Sequence, residues 1–221
     1  MLKQLFDAIR QNDIPGVDKL LAAHPELLSQ RDETGTSPLS FAAYVENEPL
    51  MEYLQHARGT PDFFEAAIVG NLAVIREAIA AGKNLNAPAP DGFTALGLAV
   101  FFRQPAAARL LIEAGADVNA KATNAFQVGP VHAAVAREDI ATLELLLHRG
   151  ADPNASQQKQ FRPIHGAAST GNTPLVALLL MFGADPALAT EDGKTPADYA
   201  REKNHVDLAR RLDALCNAQK A

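Results

Sequence analysis

Six histidines and one cysteine are the side chains of this sequence best suited to bind a metal or to act as a base or nucleophile. His132 and His165 lie 33 residues apart with no carboxylate at ligand spacing, whereas a zinc site needs three or four close ligands. Cys216 is the lone thiol, so it cannot form an internal disulfide. The HExxH, G-x-S-x-G, Walker-type and CxxC motifs are absent from the sequence. We therefore predict that the protein is not an enzyme and binds no metal or cofactor.

Three aspartates could be mistaken for acid–base residues until their spacing is considered. Asp117, Asp152 and Asp185 each follow a glycine by two residues. Their segments form one series: GKNLNA at 82–87, GADVNA at 115–120, GADPNA at 150–155 and GADPAL at 183–188. The glycines are 33, 35 and 33 residues apart, which indicates a repeat architecture. We therefore predict that these aspartates cap loops.

A second landmark follows the same period and predicts the helices. Its copies include SPLSFAA at 37–43, TALGLAV at 94–100, GPVHAAV at 129–135, RPIHGAA at 162–168 and TPADYAR at 195–201. A hydroxyl followed by proline begins a helix, and glycine ends one. Small residues favour close packing of that first helix, and leucine pairs mark a second one. Each repeat should therefore be helix, turn, helix and loop, in an all-α fold.

The two landmarks together resemble the ankyrin repeat, whose pattern is G-x-T-P-L-H-x-A-A followed by L-L-x-x-G-A-D-x-N-A. The resemblance covers essentially the whole chain. It implies an α-solenoid of about seven helix-turn-helix repeats with short β-hairpin fingers, in which fingers and first helices line a concave face. It also implies that His132 and His165 hydrogen-bond to local backbone. We expect a single domain over 1–221, with repeats at about 1–31, 32–55, 56–88, 89–123, 124–156, 157–189 and 190–221.

The copies depart from the pattern in places that predict local differences. The second repeat has only 24 residues, too few for a second helix, a glycine turn and a finger. We therefore expect a finger to be missing between about Tyr53 and Asp62, which would open a notch. The terminal copies should act as caps, and the last helix, 206–217, should bury Val206, Leu212 and Leu215.

Composition limits the environment and the partners. The formal net charge is −6, and residues 1–70 hold 11 Asp and Glu against 5 Lys and Arg. Nucleic-acid binding requires a basic face, which the sequence lacks. No segment approaches the roughly 20 apolar residues that cross a bilayer. We expect a cytoplasmic monomer that binds neither nucleic acid nor membrane.

Surface positions of the repeat supply the candidate binding residues. The finger tips and the outer positions of the first helices carry five of the ten phenylalanines. Aromatic side chains with occasional arginines are typical of interface centres. The predicted partner-binding residues are Tyr44, Phe93, Phe101, Phe102, Phe126, Val128, Arg137 and Phe161. The alternative is that these rings pack on adjacent fingers or fill gaps between helices.

The leading functional hypothesis is a non-catalytic module that binds a partner protein through the finger and helix face. An inhibitor or immunity-type protein that occludes an enzyme is an alternative within the same class. A small-molecule or sugar binder in the notch at the short second repeat is the alternative from another class.

Overall fold

A computed structural model describes residues 1–218, and these residues form fourteen α-helices. The helices are α1 Leu2–Arg10, α2 Ile14–Ala23, α3 Pro38–Tyr44, α4 Glu48–Arg58, α5 Phe63–Val69, α6 Leu72–Ala80, α7 Ala95–Phe101, α8 Pro105–Glu113, α9 Pro130–Ala136, α10 Ile140–His148, α11 Pro163–Ser169, α12 Thr173–Met181, α13 Pro196–Glu202 and α14 Val206–Ala218. Short 3₁₀ turns lie at Pro25–Ser29 and Gln158–Gln160. The predicted all-α class is confirmed. Within the described chain, every helix is too short or too polar to cross a membrane.

Consecutive helices pair, and the pairs stack within two compact units, Met1–Ala114 and Gly115–Ala221. In the first unit the opening helices α1, α3, α5 and α7 pack side by side, and α6 packs on α8. In the second unit α9, α11 and α13 pack in the same way, and α10 packs on α12. Each pair thus buries apolar surface against the next pair of its unit, as repeat proteins require.

Small side chains allow the opening helices to approach closely, and leucines of the second helices complete the core. The contacts are dry, because these side chains are fully buried: Ala42, Ala66, Ala99, Leu50 and Leu54 in the first unit, and Ala134, Ala167, Ala200, Leu143 and Leu146 in the second. Burial of apolar surface of this kind is the main stabilising term of the stack.

Polar side chains begin the helices at the predicted positions. The hydroxyls of Ser37 and Thr195 each accept the backbone N–H three residues further along, at 3.2 and 3.3 Å. The third repeat lacks the hydroxyl–proline start and uses Asp62 instead. Its carboxylate accepts the N–H of Glu65 at 3.0 Å, and the Glu65 carboxylate accepts the N–H of Asp62 at 2.9 Å. This reciprocal capping box satisfies two amides that would otherwise lack partners.

His132 and His165 perform the capping role in repeats five and six. The Nδ1 atom of each ring accepts a backbone N–H, from Gly129 at 3.3 Å and from Arg162 at 3.0 Å. The Nε2–H of His165 donates to the carbonyl of Leu188 at 3.0 Å. Burial lowers the pKa of His132 to about 4 and also lowers the pKa of His165. Both rings are therefore neutral at pH 7, and the predicted backbone role is confirmed.

The loops between repeats, here called fingers, are each closed by a backbone hydrogen bond between their first and last residues. In each case the N–H of the first residue donates to the carbonyl of the second, and the pairs are Asp32 and Thr36, Ala89 and Phe93, Ala122 and Val128, Gln157 and Phe161, and Thr190 and Lys194. The β-structure of the described residues consists of an isolated bridge between Pro88 and Thr94. The predicted β-hairpins are therefore tight reversals rather than two-stranded ribbons.

Asparagine side chains join successive loops of the second unit. The Nδ2 of Asn119 donates to the carbonyl of Gly150 at 3.0 Å, and its Oδ1 accepts the N–H of Asp152 at 2.8 Å. Asn154 repeats both contacts one repeat further on, at 2.9 and 2.8 Å. The backbone N–H two residues ahead donates to each predicted loop-capping carboxylate: Asp117, Asp152 and Asp185.

The connection between α4 and α5 contains no finger, because only residues 59–62 separate the two helices. The second helix of the short repeat is nevertheless complete and continues to Arg58. The fingers on either side close the gap by direct contact. A Cβ atom on Gly35 would lie 2.3 Å from the carbonyl carbon of Pro90, and the Tyr44 hydroxyl donates to Asp91 at 3.1 Å. The expectation of an open notch at this repeat was therefore wrong.

Charged side chains around the α4–α5 connection form ion pairs with one another. Glu65 is fully buried, with its carboxylate 2.7 Å from Arg58 Nε and accepting the Ser37 hydroxyl at 2.8 Å. Arg31 pairs with Asp62, whose carboxylate also lies 3.9 Å from Arg58. A buried carboxylate is tolerated only with a cation and hydrogen bonds around it, and these residues supply both.

Two of the three side chains predicted to be buried in the last helix are exposed. Leu212 is buried as expected, but its buried neighbours are Leu208 and Ala209. Val206 and Leu215 are 47% and 43% exposed, so their predicted burial was wrong. At 100° per residue, Val206 lies about 160° from Leu208 and about 120° from Leu212, whereas Leu215 is on the same side as Leu208 but lies one turn beyond Leu212 near the helix end.

Two glutamines occupy finger positions at which the backbone is left-handed. Gln127 and Gln160 have φ of 53° and 56°. Equivalent positions in three other fingers are Gly35, Gly92 and Gly193, with φ of 83°, 88° and 79°. Glycine adopts this conformation freely, whereas for a residue with a Cβ it lowers the stability of the fold by about 1–2 kcal/mol. The fingers 122–128 and 157–161 therefore carry strain that the other three avoid.

We expect Gly35→Ala to destabilise the protein by about 3 kcal/mol or more, because the new methyl group meets both the left-handed backbone and the Pro90 carbonyl. Gly82→Ala is the matched control, since Gly82 has φ of 72° and open space around its Cβ position. Gly82→Ala should lower the free energy of unfolding by only about 1–2 kcal/mol. Urea unfolding measures both. Equal losses would show that the two fingers do not touch.

We expect the free energy of unfolding to fall as the pH is lowered from about 7 to about 4, because His132 must remain neutral to cap α9. Its folded pKa lies below its unfolded value, so its contribution is complete above about pH 6.5 and decreases by about 3 kcal/mol toward pH 4. His132→Gln should flatten this dependence in urea unfolding at several pH values. His148→Gln, at an exposed ring of α10, is the control. An unchanged slope in His132→Gln would contradict the capping role.

We expect Gln160→Gly to stabilise the protein by about 0.5–1 kcal/mol, because glycine removes the cost of the left-handed backbone. The same change at Gln157, whose φ is −106°, should instead destabilise by about 0.5–1 kcal/mol. Thermal unfolding compares the two variants. Shifts of the same sign would refute the assignment of strain to position 160.

Candidate functional site

The first unit brings four of the predicted binding residues into one aromatic cluster. Tyr44 ends α3, and its ring lies 6.4 Å from the Phe93 ring and 5.3 Å from the Phe102 ring. Phe101 meets Phe102 edge to face at 5.2 Å. All four side chains are half-buried. They cover much of one another's surface, which is the packing that the sequence left open as an alternative.

The phenol of Tyr44 is fixed in its neutral form. Burial raises its pKa well above the ordinary range, and the nearby carboxylate of Asp91 raises it further. The hydroxyl donates to that carboxylate at 3.1 Å. Tyr44 therefore joins α3 to the finger 89–93 and holds the cluster in one arrangement.

The second unit contains a pocket of about 610 Å³ between three successive fingers. Phe126, Val128 and Phe161, three of the predicted binding residues, lie in its wall. Phe126 is 59% exposed, and Phe161 is half-buried. Tyr199 of α13 completes the wall, with its ring perpendicular to that of Phe161 at a centroid distance of 5.4 Å. We call this site the finger pocket.

Backbone hydrogen bonds between fingers hold the walls of the finger pocket. The N–H of Gln158 donates to the carbonyl of Phe126 at 3.1 Å, which joins finger 122–128 to finger 157–161. The N–H of Glu191 donates to the carbonyl of Lys159 at 3.0 Å, which joins finger 157–161 to finger 190–194. The three fingers are thus joined to one another by backbone hydrogen bonds.

Amide, hydroxyl and charged side chains supply the polar part of the pocket: Gln157, Gln158, Lys159, Thr190, Glu191 and Asp192. The Thr190 hydroxyl is already engaged, since it donates to Asp192 at 2.5 Å. This hydrogen bond is the main cause of a lowered pKa for Asp192, which is therefore ionised at neutral pH. The site combines apolar rings with charged side chains at its edge.

Arg137 lies outside the finger pocket. It follows α9 directly as the capping residue and is half-buried. The structure thus brings three of the predicted residues together in the second unit and leaves Arg137 apart.

Sequence reasoning missed Tyr199, although the repeat register contained a signal. Tyr199 is the fourth residue of its first helix, where the two preceding repeats have Ala133 and Gly166. The Phe161 ring lies beside Gly166, with a ring carbon 3.6 Å from the position that a Cβ would occupy. Two small residues followed by a tyrosine at one register position predict a space with an aromatic wall.

Comparison with known proteins identifies the repeats along most of the chain. The family model for ankyrin repeats in three copies matches residues 5–122. The single ankyrin repeat model matches residues 129–157, and the model for many copies matches residues 145–200. A search of curated proteins finds no match. Since the first of these models spans more than half of the chain and the helix pairs follow the same register, the protein belongs to the ankyrin repeat family.

Proposed function

We propose that this protein binds a partner protein through the finger pocket of its second unit. Ankyrin repeats generally act as protein–protein interaction modules. The observation that carries the proposal is the 59% exposure of Phe126 beside Val128 and Phe161, in a pocket whose walls are hydrogen-bonded to one another. Exposed aromatic side chains grouped around a pocket are typical of interface anchors.

The fixed fingers favour binding, because association usually loses free energy when loops and side chains become ordered. Here the loops are already held by the bonds from Gln158 to Phe126 and from Glu191 to Lys159. Phe161 and Tyr199 are likewise held against each other at 5.4 Å. A partner side chain that enters the pocket would bury apolar area without first ordering its walls.

The first-unit cluster of Tyr44, Phe93, Phe101 and Phe102 is proposed as a secondary contact surface. Its rings pack on one another, so each presents only part of its surface to a partner. Arg137 is proposed as a further contact at the end of α9. The principal anchor is Phe126, because it is the most exposed of the predicted aromatic residues.

We further propose that the protein acts as a monomer in the cytoplasm and binds protein rather than nucleic acid, in keeping with its net charge of −6. The inhibitor hypothesis is contained within this proposal and needs a partner enzyme to be tested. The hypothesis of a sugar or small-molecule site at the second repeat is not retained, because the fingers beside that repeat are in contact.

Phe126→Ala should lower the recovery of at least one specific partner about tenfold in affinity capture from the source organism, since loss of an interface anchor costs roughly 1–2 kcal/mol or more. Met181→Ala is the matched control: Met181 is 81% exposed but lies at the end of a second helix, away from the fingers. Quantitative mass spectrometry compares both variants with the wild type. Thermal unfolding establishes that each variant is folded.

Two results would contradict the proposal. One is that wild type and Phe126→Ala recover the same proteins in the same amounts. The other is that Met181→Ala loses the same partners as Phe126→Ala, which would indicate a general effect of removing exposed apolar surface.

A further inference from the structure

The finger pocket combines two kinds of surface that a single side chain can meet together. Its aromatic part consists of Phe126, Phe161 and Tyr199, contributed by two fingers and α13. Its acidic part consists of Glu191 and Asp192, both exposed near the tip of the finger 190–194. An apolar ligand would bury the rings but would also cover two carboxylates without replacing their hydration, which is unfavourable.

The charges of the lining favour a cation. Lys159 is the positive side chain among the lining residues, against the carboxylates of Glu191 and Asp192. These three groups sum to one negative charge. Lys194, just outside the lining, lies 2.8 Å from Glu202 and 3.9 Å from Asp192, so counting Lys194 together with Glu202 leaves the sum at one negative charge.

One ring of the pocket already has a cation beside its face. The ammonium of Lys194 lies 5.8 Å from the centroid of Tyr199. Cations within about 6 Å of an aromatic centroid are attracted by the negative face of the ring. A cation from just outside the lining therefore already lies against the Tyr199 ring.

We propose that the finger pocket receives an arginine side chain from the partner protein. This inference rests on the proposed function and specifies the chemistry of the anchor. The planar guanidinium stacks on aromatic faces, and its five N–H donors can bond to carboxylates and amide oxygens at once. Phe126 and Phe161 provide the faces, Glu191 and Asp192 accept hydrogen bonds, and the amide oxygens of the neighbouring glutamines accept the remaining N–H groups.

The test uses capped five-residue peptides that carry arginine, lysine or leucine at the centre between alanine and glycine. Two-dimensional ¹H–¹⁵N NMR titration of the full chain follows the backbone amides of Gln158 and Glu191, which lie in the pocket rim. The arginine peptide should shift these amides and bind about fivefold or more tightly than the leucine peptide. Raising the salt concentration should weaken binding of the arginine peptide more than binding of the leucine peptide.

Two double variants separate local chemistry from net charge. Glu191→Gln/Asp192→Asn should reduce binding of the arginine peptide to about the leucine level, while thermal unfolding shows that the fold is retained. Glu144→Gln/Asp207→Asn removes the same charge from exposed positions of the second unit outside the pocket and should leave binding unchanged. Phe126→Ala should also weaken binding of the arginine peptide.

The arginine assignment is overturned if the leucine or lysine peptide binds as tightly as the arginine peptide. It is also overturned if the Glu191→Gln/Asp192→Asn variant binds the arginine peptide as tightly as the wild type does, or if the amide resonances of Gln158 and Glu191 do not shift. These failures are distinct from failure of the proposed function. Partners that depend on Phe126 in affinity capture would still establish protein binding at this pocket, with an anchor other than arginine.

Discussion

Contact between neighbouring repeats is the constraint on which the rest of this structure depends. A seven-residue helix such as α9 or α11 is too short to be stable alone, so it survives only by burying its alanine face against the next helix. Close approach of backbones then leaves helix-start amides without water. Buried His132 and His165 satisfy two of these amides, which requires both imidazoles to be neutral. Packing and protonation are therefore linked at these caps.

The short second repeat shows how the stack remains continuous when a finger is lost. The fingers on either side of the deletion meet at Gly35, where the Pro90 carbonyl leaves no space for a side chain. At the same repeat, Arg58 at the end of α4 forms an ion pair with the buried Glu65 of α5. Glu65 is also part of the capping box of α5, in which its carboxylate accepts the N–H of Asp62. The capping box therefore places a carboxylate in the interior, and the ion pair with Arg58 compensates for its charge.

The repeat register predicted the helix pairs, the caps at Ser37 and Thr195 and the loop-capping aspartates, because each follows from the spacing of residues along the chain. It could not predict contacts between positions that are distant in sequence. The approach of Gly35 to Pro90 closed the expected notch, and the ring of Tyr199 became part of the candidate site. The prediction for Val206 failed for a related reason. Burial in α14 depends on which side packs on α13, and hydrophobicity alone does not give that side.

The left-handed positions of the fingers are not all filled by glycine. Three fingers use glycine at the left-handed position, whereas the two that carry Phe126 and Phe161 use Gln127 and Gln160. Strained backbone tends to occur at sites whose geometry serves a function. In finger 157–161 two residues, Lys159 and Gln160, are left-handed, and Gln160 directly precedes Phe161, so its conformation helps to set the direction of that ring. If stability alone decided the sequence, glycine would serve better at position 160.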